Sequence, residues 1–133
     1  LLVEDDAAVR ALARRALAQA GYRVLDASRP SEAHVAARRH GWAIHLLLTD
    51  VILPEASGPE LARQLVALLP GLRVLYTSGY AAGHLARRDA LAGGHGFLPK
   101  PFTPEQLVER ARQVLDGPAP AHAPLRELAG PIS

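Results

Sequence analysis

The stretch Ala43-Ile44-His45-Leu46-Leu47-Leu48-Thr49-Asp50-Val51-Ile52-Leu53-Pro54 decides how this chain folds. Residues 43–50 form the most strongly apolar strand-length run in the sequence, and they end on a carboxylate. Such a run suits the centre of a parallel sheet covered on both faces. An acid has little packing reason to close that strand, so Asp50 is the first candidate for chemistry.

Working outward, short apolar runs alternate with helical patterns. Residues 1–4 read as a strand ending in acids. Val9, Leu12, Ala13, Ala16, Leu17 and Ala20 recur at three- and four-residue steps and line one helix face. Asp6 can cap that helix and Gly21 can end it. Residues 22–26 read as a second strand and residues 31–40 as a helix before Gly41. The loop 51–57 contains Pro54 and leads into a helix at 58–69, closed by Pro70-Gly71. Residues 72–77 are expected as a strand, 81–92 as a weaker helix with Gly83 inside it, and 96–99 as a short fifth strand. Thr103 caps a last helix, with Pro104 at its first position, running to about Asp116.

Five strand–helix units with right-handed crossovers give an α/β fold, a doubly wound parallel sheet in three layers. Ligands in such sheets bind beyond the carboxyl ends of the strands. Glu4-Asp5-Asp6, Asp50, Thr77-Ser78 and Lys100 all fall at those ends. Residues 1–116 are expected as one domain. Residues 117–133, with Gly117, Pro118 and Pro120 near their start, read as a Pro/Ala-rich tail or linker.

Composition narrows the function. The 133 residues, 49% of them hydrophobic and 21% charged, suit one soluble domain. Without cysteine there are no disulfides, thiolate metal sites or thiol catalysis. The absence of cysteine fits a cytoplasmic protein, and a chain that opens on Leu1-Leu2-Val3 with neither Met nor a signal peptide is expected to be a fragment of something longer. A net charge of +2, with the arginines scattered, suggests solvated helix faces rather than direct nucleic-acid contact. Fourteen of the fifteen basic residues are Arg, and Lys100 is the one Lys. A lone Lys in so Arg-rich a chain marks a position where Arg does not serve.

Asp5, Asp6 and Asp50 would crowd like charges into one crevice, and a divalent cation relieves that. Oxygen ligands favour magnesium, manganese or calcium. A carboxylate can act as a nucleophile toward phosphorus. Phosphoryl transfer then needs charge neutralisation, which a metal, the point charge of Lys100 and a hydroxyl from Ser78 or Thr77 can supply. The bland readings are a helix N-cap pair for Asp5-Asp6, a surface lysine for Lys100 and ordinary turn chemistry for Thr77-Ser78.

The ordered set LLVEDD, LLLTDVILPEASG, VLYTSG and GFLPKPF resembles the receiver domain of two-component response regulators. Its marks stand 44, 28 and 22 residues apart, from Asp6 to Asp50 to Ser78 to Lys100. The resemblance implies a flavodoxin-like sheet of order 2-1-3-4-5. It also implies that Asp50 is phosphorylated from a phosphohistidine, and that Mg2+ is held by Asp5, Asp6, Asp50 and the backbone carbonyl of Ile52. Lys100 matches the phosphate-contacting lysine, and the bond from Lys100 to Pro101 matches a cis peptide. Ser78 and Phe97 match the hydroxyl and aromatic switch residues. Ile52 and Tyr80 fall at rate-tuning positions and are bulky here, which implies slow phosphate loss. Departures are His45 for an acid, Leu53 for Met and Phe97 for Tyr.

The implied partners are a histidine kinase or a histidine phosphotransfer domain, with no membrane contact by this domain. The docking region would be the first helix and the loop after the fifth strand. Two copies pairing through the fourth helix on phosphorylation is compatible with the pattern. Several stretches resemble receivers of hybrid sensor histidine kinases, while stand-alone regulators of this kind also exist. The only activity implied is the domain's own phosphorylation and dephosphorylation. The competing readings are a contact-only pseudo-receiver and a small phosphoaspartate hydrolase. The hydrolase reading lacks a second acid two residues after Asp50, where Ile52 stands.

Overall fold

A computed structural model describes residues 1–79 and 83–117. Tyr80, the first residues of the expected fourth helix and the tail from residue 118 lie outside the described residues. The elements run β1 (Leu2–Val3), α1 (Ala7–Gln19), β2 (Asp26–Ala27), α2 (Pro30–His40), β3 (Leu46–Asp50), α3 (Gly58–Leu68), β4 (Arg73–Ser78), α4 (Gly83–Ala92), β5 (Gly96–Pro99) and α5 (Pro104–Asp116). The strands form one parallel sheet in the order β2-β1-β3-β4-β5. This is the doubly wound topology expected from the alternation of elements.

Successive strand residues face opposite layers. Leu2, Leu48, Leu75 and Leu98 pack with Ala13, Ala16 and Leu17 of α1 and with Leu107 and Ala111 of α5. Their neighbours Val3, Leu47, Val74, Tyr76 and Phe97 pack on the other face with α2, α3 and α4, among them Ala33, Leu61, Leu65 and Ala90. Each fully buried leucine contributes roughly 1.5–3 kcal/mol. The core therefore sits in two slabs, which is why residues 46–50 read as a nearly unbroken apolar run.

The helix ends follow local chemistry. Asp6 accepts the N–H groups of Ala8 at 2.9 Å and Val9 at 3.2 Å. Gly21, at φ +101°, turns the chain out of α1. Thr103 and Gln106 form a reciprocal capping box at α5. Ser57 caps α3 through Glu60 N–H at 3.2 Å.

The first three strands are shorter than their apolar runs. Residues 22–25 lie outside β2, although Leu25 O accepts the Leu2 N–H at 2.8 Å. On the other side of β1, the Leu1 amine donates to Leu46 O at 2.8 Å. Below that point Gly41–Ala43 closes into a single 3-10 turn and does not extend β3. Tyr22, Val24, Leu25 and Ile44 are buried or half-buried outside the strands, so their apolar pattern reports burial. No helix among the described residues is long and apolar enough to cross a membrane.

Candidate functional site

The carboxyl ends of β1, β3 and β5 bring three acids and one amine together. Asp50 ends β3 and is only 8% exposed. Lys100 follows β5, and its Nζ lies 2.8 Å from Asp50 Oδ2 and 2.6 Å from Glu4 Oε1. The Lys100-Pro101 peptide is cis. Ligand oxygens of Glu4, Asp5 and Asp50 all lie within 4.8 Å of one another.

The acids at the end of β1 divide their work differently from the expected Asp5–Asp6 pair. Because β1 ends at Val3, the next side chain, Glu4, turns into the crevice and is 3% exposed. Glu4 Oε2 also accepts the Asp6 N–H at 3.0 Å. The Asp6 carboxylate instead points at the first turn of α1 as its N-cap. Asp5 lies in the cluster with Glu4 and Asp50, whereas the Asp6 carboxylate does not. The signal in the sequence was the unbroken run Glu4-Asp5-Asp6, and locating the cluster within it depends on where the strand ends.

Burial pushes the Glu4 carboxyl above its ordinary range, and hydrogen bonds from Lys100 and Asp6 only partly offset this. Desolvation works to lower the Lys100 ammonium. The hydrogen bonds to Asp50 and Glu4 outweigh it and hold the ammonium above its ordinary value. Three carboxylates against one ammonium leave two formal negative charges in a partly buried crevice. Like charges 4 Å apart repel by about 4 kcal/mol at an effective dielectric of 20. This oxygen-rich, doubly negative donor set fits a divalent hard cation.

The surrounding backbone is tightly drawn. Asp50 pairs in register with Thr77, and Val51 N–H bonds to Thr77 O at 2.9 Å. Ile52 N–H approaches Asp50 Oδ1 at 3.4 Å, while Ile52 as a whole is 65% exposed. Gly58 N–H bonds to Val51 O at 2.8 Å. A Cβ on Gly58 would fall 2.2 Å from Asp50 O, so only glycine lets α3 start this close to Asp50.

Ser78 ends β4, buried at 1% exposure, with its hydroxyl donating to Gly79 O at 3.2 Å. Its carbonyl accepts the Lys100 N–H at 2.8 Å, which ties the hydroxyl-bearing strand end to the lysine. Phe97 is buried at 4% exposure in the α2–α4 slab with Tyr76 and Ala90. Tyr80 lies outside the described residues.

With this geometry in view, the comparisons converge. The response regulator receiver domain family matches residues 1–112. The chain is 38% identical over 116 residues to the sensor kinase CckA of Brucella abortus (strain 2308), spanning 87% of this chain and 12% of that protein. It is 35% identical over 120 residues to the response regulator receiver protein CpdR of the same organism, covering 86% of this chain and 94% of that one. Among solved structures, the receiver domain of the hybrid histidine kinase CckA superposes with a TM-score of 0.72 at 35% identity, over 86% of this chain and 96% of that one. A CheY-like receiver from Methanospirillum hungatei JF-1 gives 0.74 at 29% identity, over 86% and 90%. Three carboxylates and a lysine on the strand ends of a 2-1-3-4-5 sheet are thus found in a chain that belongs to the response regulator receiver domain family.

Proposed function

We propose that residues 1–116 form a phosphoacceptor that takes a phosphoryl group from a phosphohistidine onto Asp50, with residues 117–133 as a tail. The observation carrying this reading is Lys100 Nζ, 2.8 Å from the Asp50 carboxylate inside a cluster of three acids. A structural ion pair needs one acid for its lysine, and this site supplies a surplus of negative charge that suits a metal and a phosphoryl group.

An Asp50 carboxylate oxygen attacks phosphorus, the phosphorus–nitrogen bond to the imidazole breaks, and the freed nitrogen keeps the electron pair. Glu4, Asp5, Asp50 and the Ile52 carbonyl would hold Mg2+, which supplies charge neutralisation on a phosphoryl oxygen when bound. Lys100 supplies a second positive charge and Ser78 a hydroxyl hydrogen bond. Phe97 is the aromatic that responds to movement of Ser78. The donor is a histidine kinase or phosphotransfer domain docking at α1 and the β5–α5 loop. The likeness to CckA and to CpdR supports both a receiver attached to a kinase and a free-standing one.

Intact mass after incubation with acetyl phosphate tests the reading. Wild type with Mg2+ is expected to gain one phosphoryl group. EDTA or Asp50→Asn is expected to abolish the gain, and an unphosphorylated wild type with Mg2+ sinks the proposal in favour of a contact-only module. The exposed, apolar Ile52 cannot orient an attacking water, so loss of the phosphoryl group is expected to be slow, over many minutes. In the same assay Ile52→Asn should shorten that lifetime several-fold. A wild type cleared within seconds, with the variant no faster, contradicts this.

A further inference from the structure

Glu55 stands in the 51–57 loop at φ +70°, a conformation in which a side chain is strained. Its carboxylate reaches residues 24 positions earlier. Ser31 N–H donates to Oε1 at 2.9 Å, and Ser31 Oγ donates to Oε2 at 3.2 Å. Ser31 is the second residue of α2, a helix whose N-cap position, Arg29, makes no side-chain capping bond. Glu55 therefore supplies from a distant loop the anionic cap that α2 lacks locally.

A second polar bridge lies one turn further along the same side of α2, where His34 Nε2 and Gln64 Oε1 of α3 are 2.7 Å apart. The loop between β3 and α3 is thus held against α2 at Glu55, while α2 and α3 are pinned together behind it. The same loop carries Ile52, whose N–H faces Asp50 Oδ1. Among the described hydrogen bonds, Glu55 makes the one side-chain link from this loop to α2.

We propose that Glu55 is a positioning residue for the phosphoacceptor site. It ties the β3–α3 loop to the N-terminus of α2 and so holds the Ile52 backbone in place beside Asp50 before metal or phosphoryl donor arrives. The proposal rests on the phosphoacceptor reading of Asp50. Backbone strain at Glu55 is tolerated because the tether is made from that conformation.

The test uses the whole chain, with wild type, Glu55→Gly and Glu55→Gln. Glycine removes the strain and the tether together, while glutamine keeps an oxygen for the Ser31 N–H and loses the charge. The readouts are the Mg2+ concentration giving half-maximal phosphorylation by acetyl phosphate, the rate at saturating Mg2+, and the unfolding temperature. For Glu55→Gly the half-maximal Mg2+ concentration is expected to rise about ten-fold. The saturated rate and the unfolding temperature should change little, and glutamine should fall between. Loss of folded protein alone would lower the amplitude and leave the half-maximal concentration in place, so that pattern overturns the proposal. Glu55→Gly matching wild type overturns it too, reducing Glu55 to a helix cap. A wild type that takes up no phosphoryl group overturns the phosphoacceptor reading and this inference with it.

Discussion

Glu4→Gln is expected to weaken Mg2+ binding about 100-fold, which is roughly 2.7 kcal/mol, while leaving the ligand-free domain at least as stable as wild type. The two effects have opposite signs for one reason. Glu4 is 3% exposed, and burial of its charge outweighs its attraction to Lys100, so its carboxyl resists ionisation. Neutralising it relieves the metal-free protein of a desolvated charge. The same substitution removes one of the three carboxylates that converge within 4.8 Å, and a divalent cation depends on that surplus charge. Asp6→Asn is the matched control. Asparagine caps helices as well as aspartate, and the Asp6 carboxylate is engaged with Ala8 and Val9, so Mg2+ affinity should stay within a factor of about three. Calorimetric titration of both variants with Mg2+, with thermal unfolding alongside, checks the pair. A large loss in Asp6→Asn with none in Glu4→Gln would restore the Asp5–Asp6 assignment.

The exchange of Asp6 for Glu4 shows where sequence reasoning reaches its limit. That acids follow the first strand is plain from Leu2-Val3-Glu4-Asp5-Asp6, and that Asp6 can cap α1 is equally legible. Which acid turns into the crevice depends on the last residue of a two-residue strand, and side-chain direction alternates at every step. Asp50 and Lys100 were legible for sharper reasons: one is an acid closing an apolar run, the other the single Lys among fifteen basic residues. The strands are shorter than expected at 22–25 and 43–45 because hydrophobicity measures burial: Tyr22, Val24, Leu25 and Ile44 pack in or against the core without being strand residues. The Glu55–Ser31 tether had no sequence signal at all. It joins residues 24 apart through a left-handed backbone at a residue type that rarely adopts one.

Lys100→Ala is expected to slow phosphorylation by about 10²–10³-fold and to destabilise the metal-free domain by roughly 1–3 kcal/mol. Both losses come from one ammonium shared by two carboxylates, at 2.6 Å to Glu4 and 2.8 Å to Asp50. Without it, Glu4, Asp5 and Asp50 face one another with no cation between them. The lysine side chain is 21% exposed, so solvent screens part of the penalty and the lower half of that range is favoured. Saturating Mg2+ should recover most of the stability, because a bound divalent ion replaces the missing charge. It should not recover the rate, because in the proposed reaction the metal and the lysine would each be needed to neutralise charge on the phosphoryl group. Lys100→Arg separates charge from shape. A planar guanidinium restores the positive charge and hence the stability, but its fixed fork cannot act as the compact, mobile point charge on which the site relies. Urea unfolding with and without Mg2+, beside acetyl phosphate rates for the three proteins, reads both effects. If Lys100→Ala is phosphorylated at the wild-type rate, the lysine is only an ion-pair partner, and the role given to it in charge neutralisation falls.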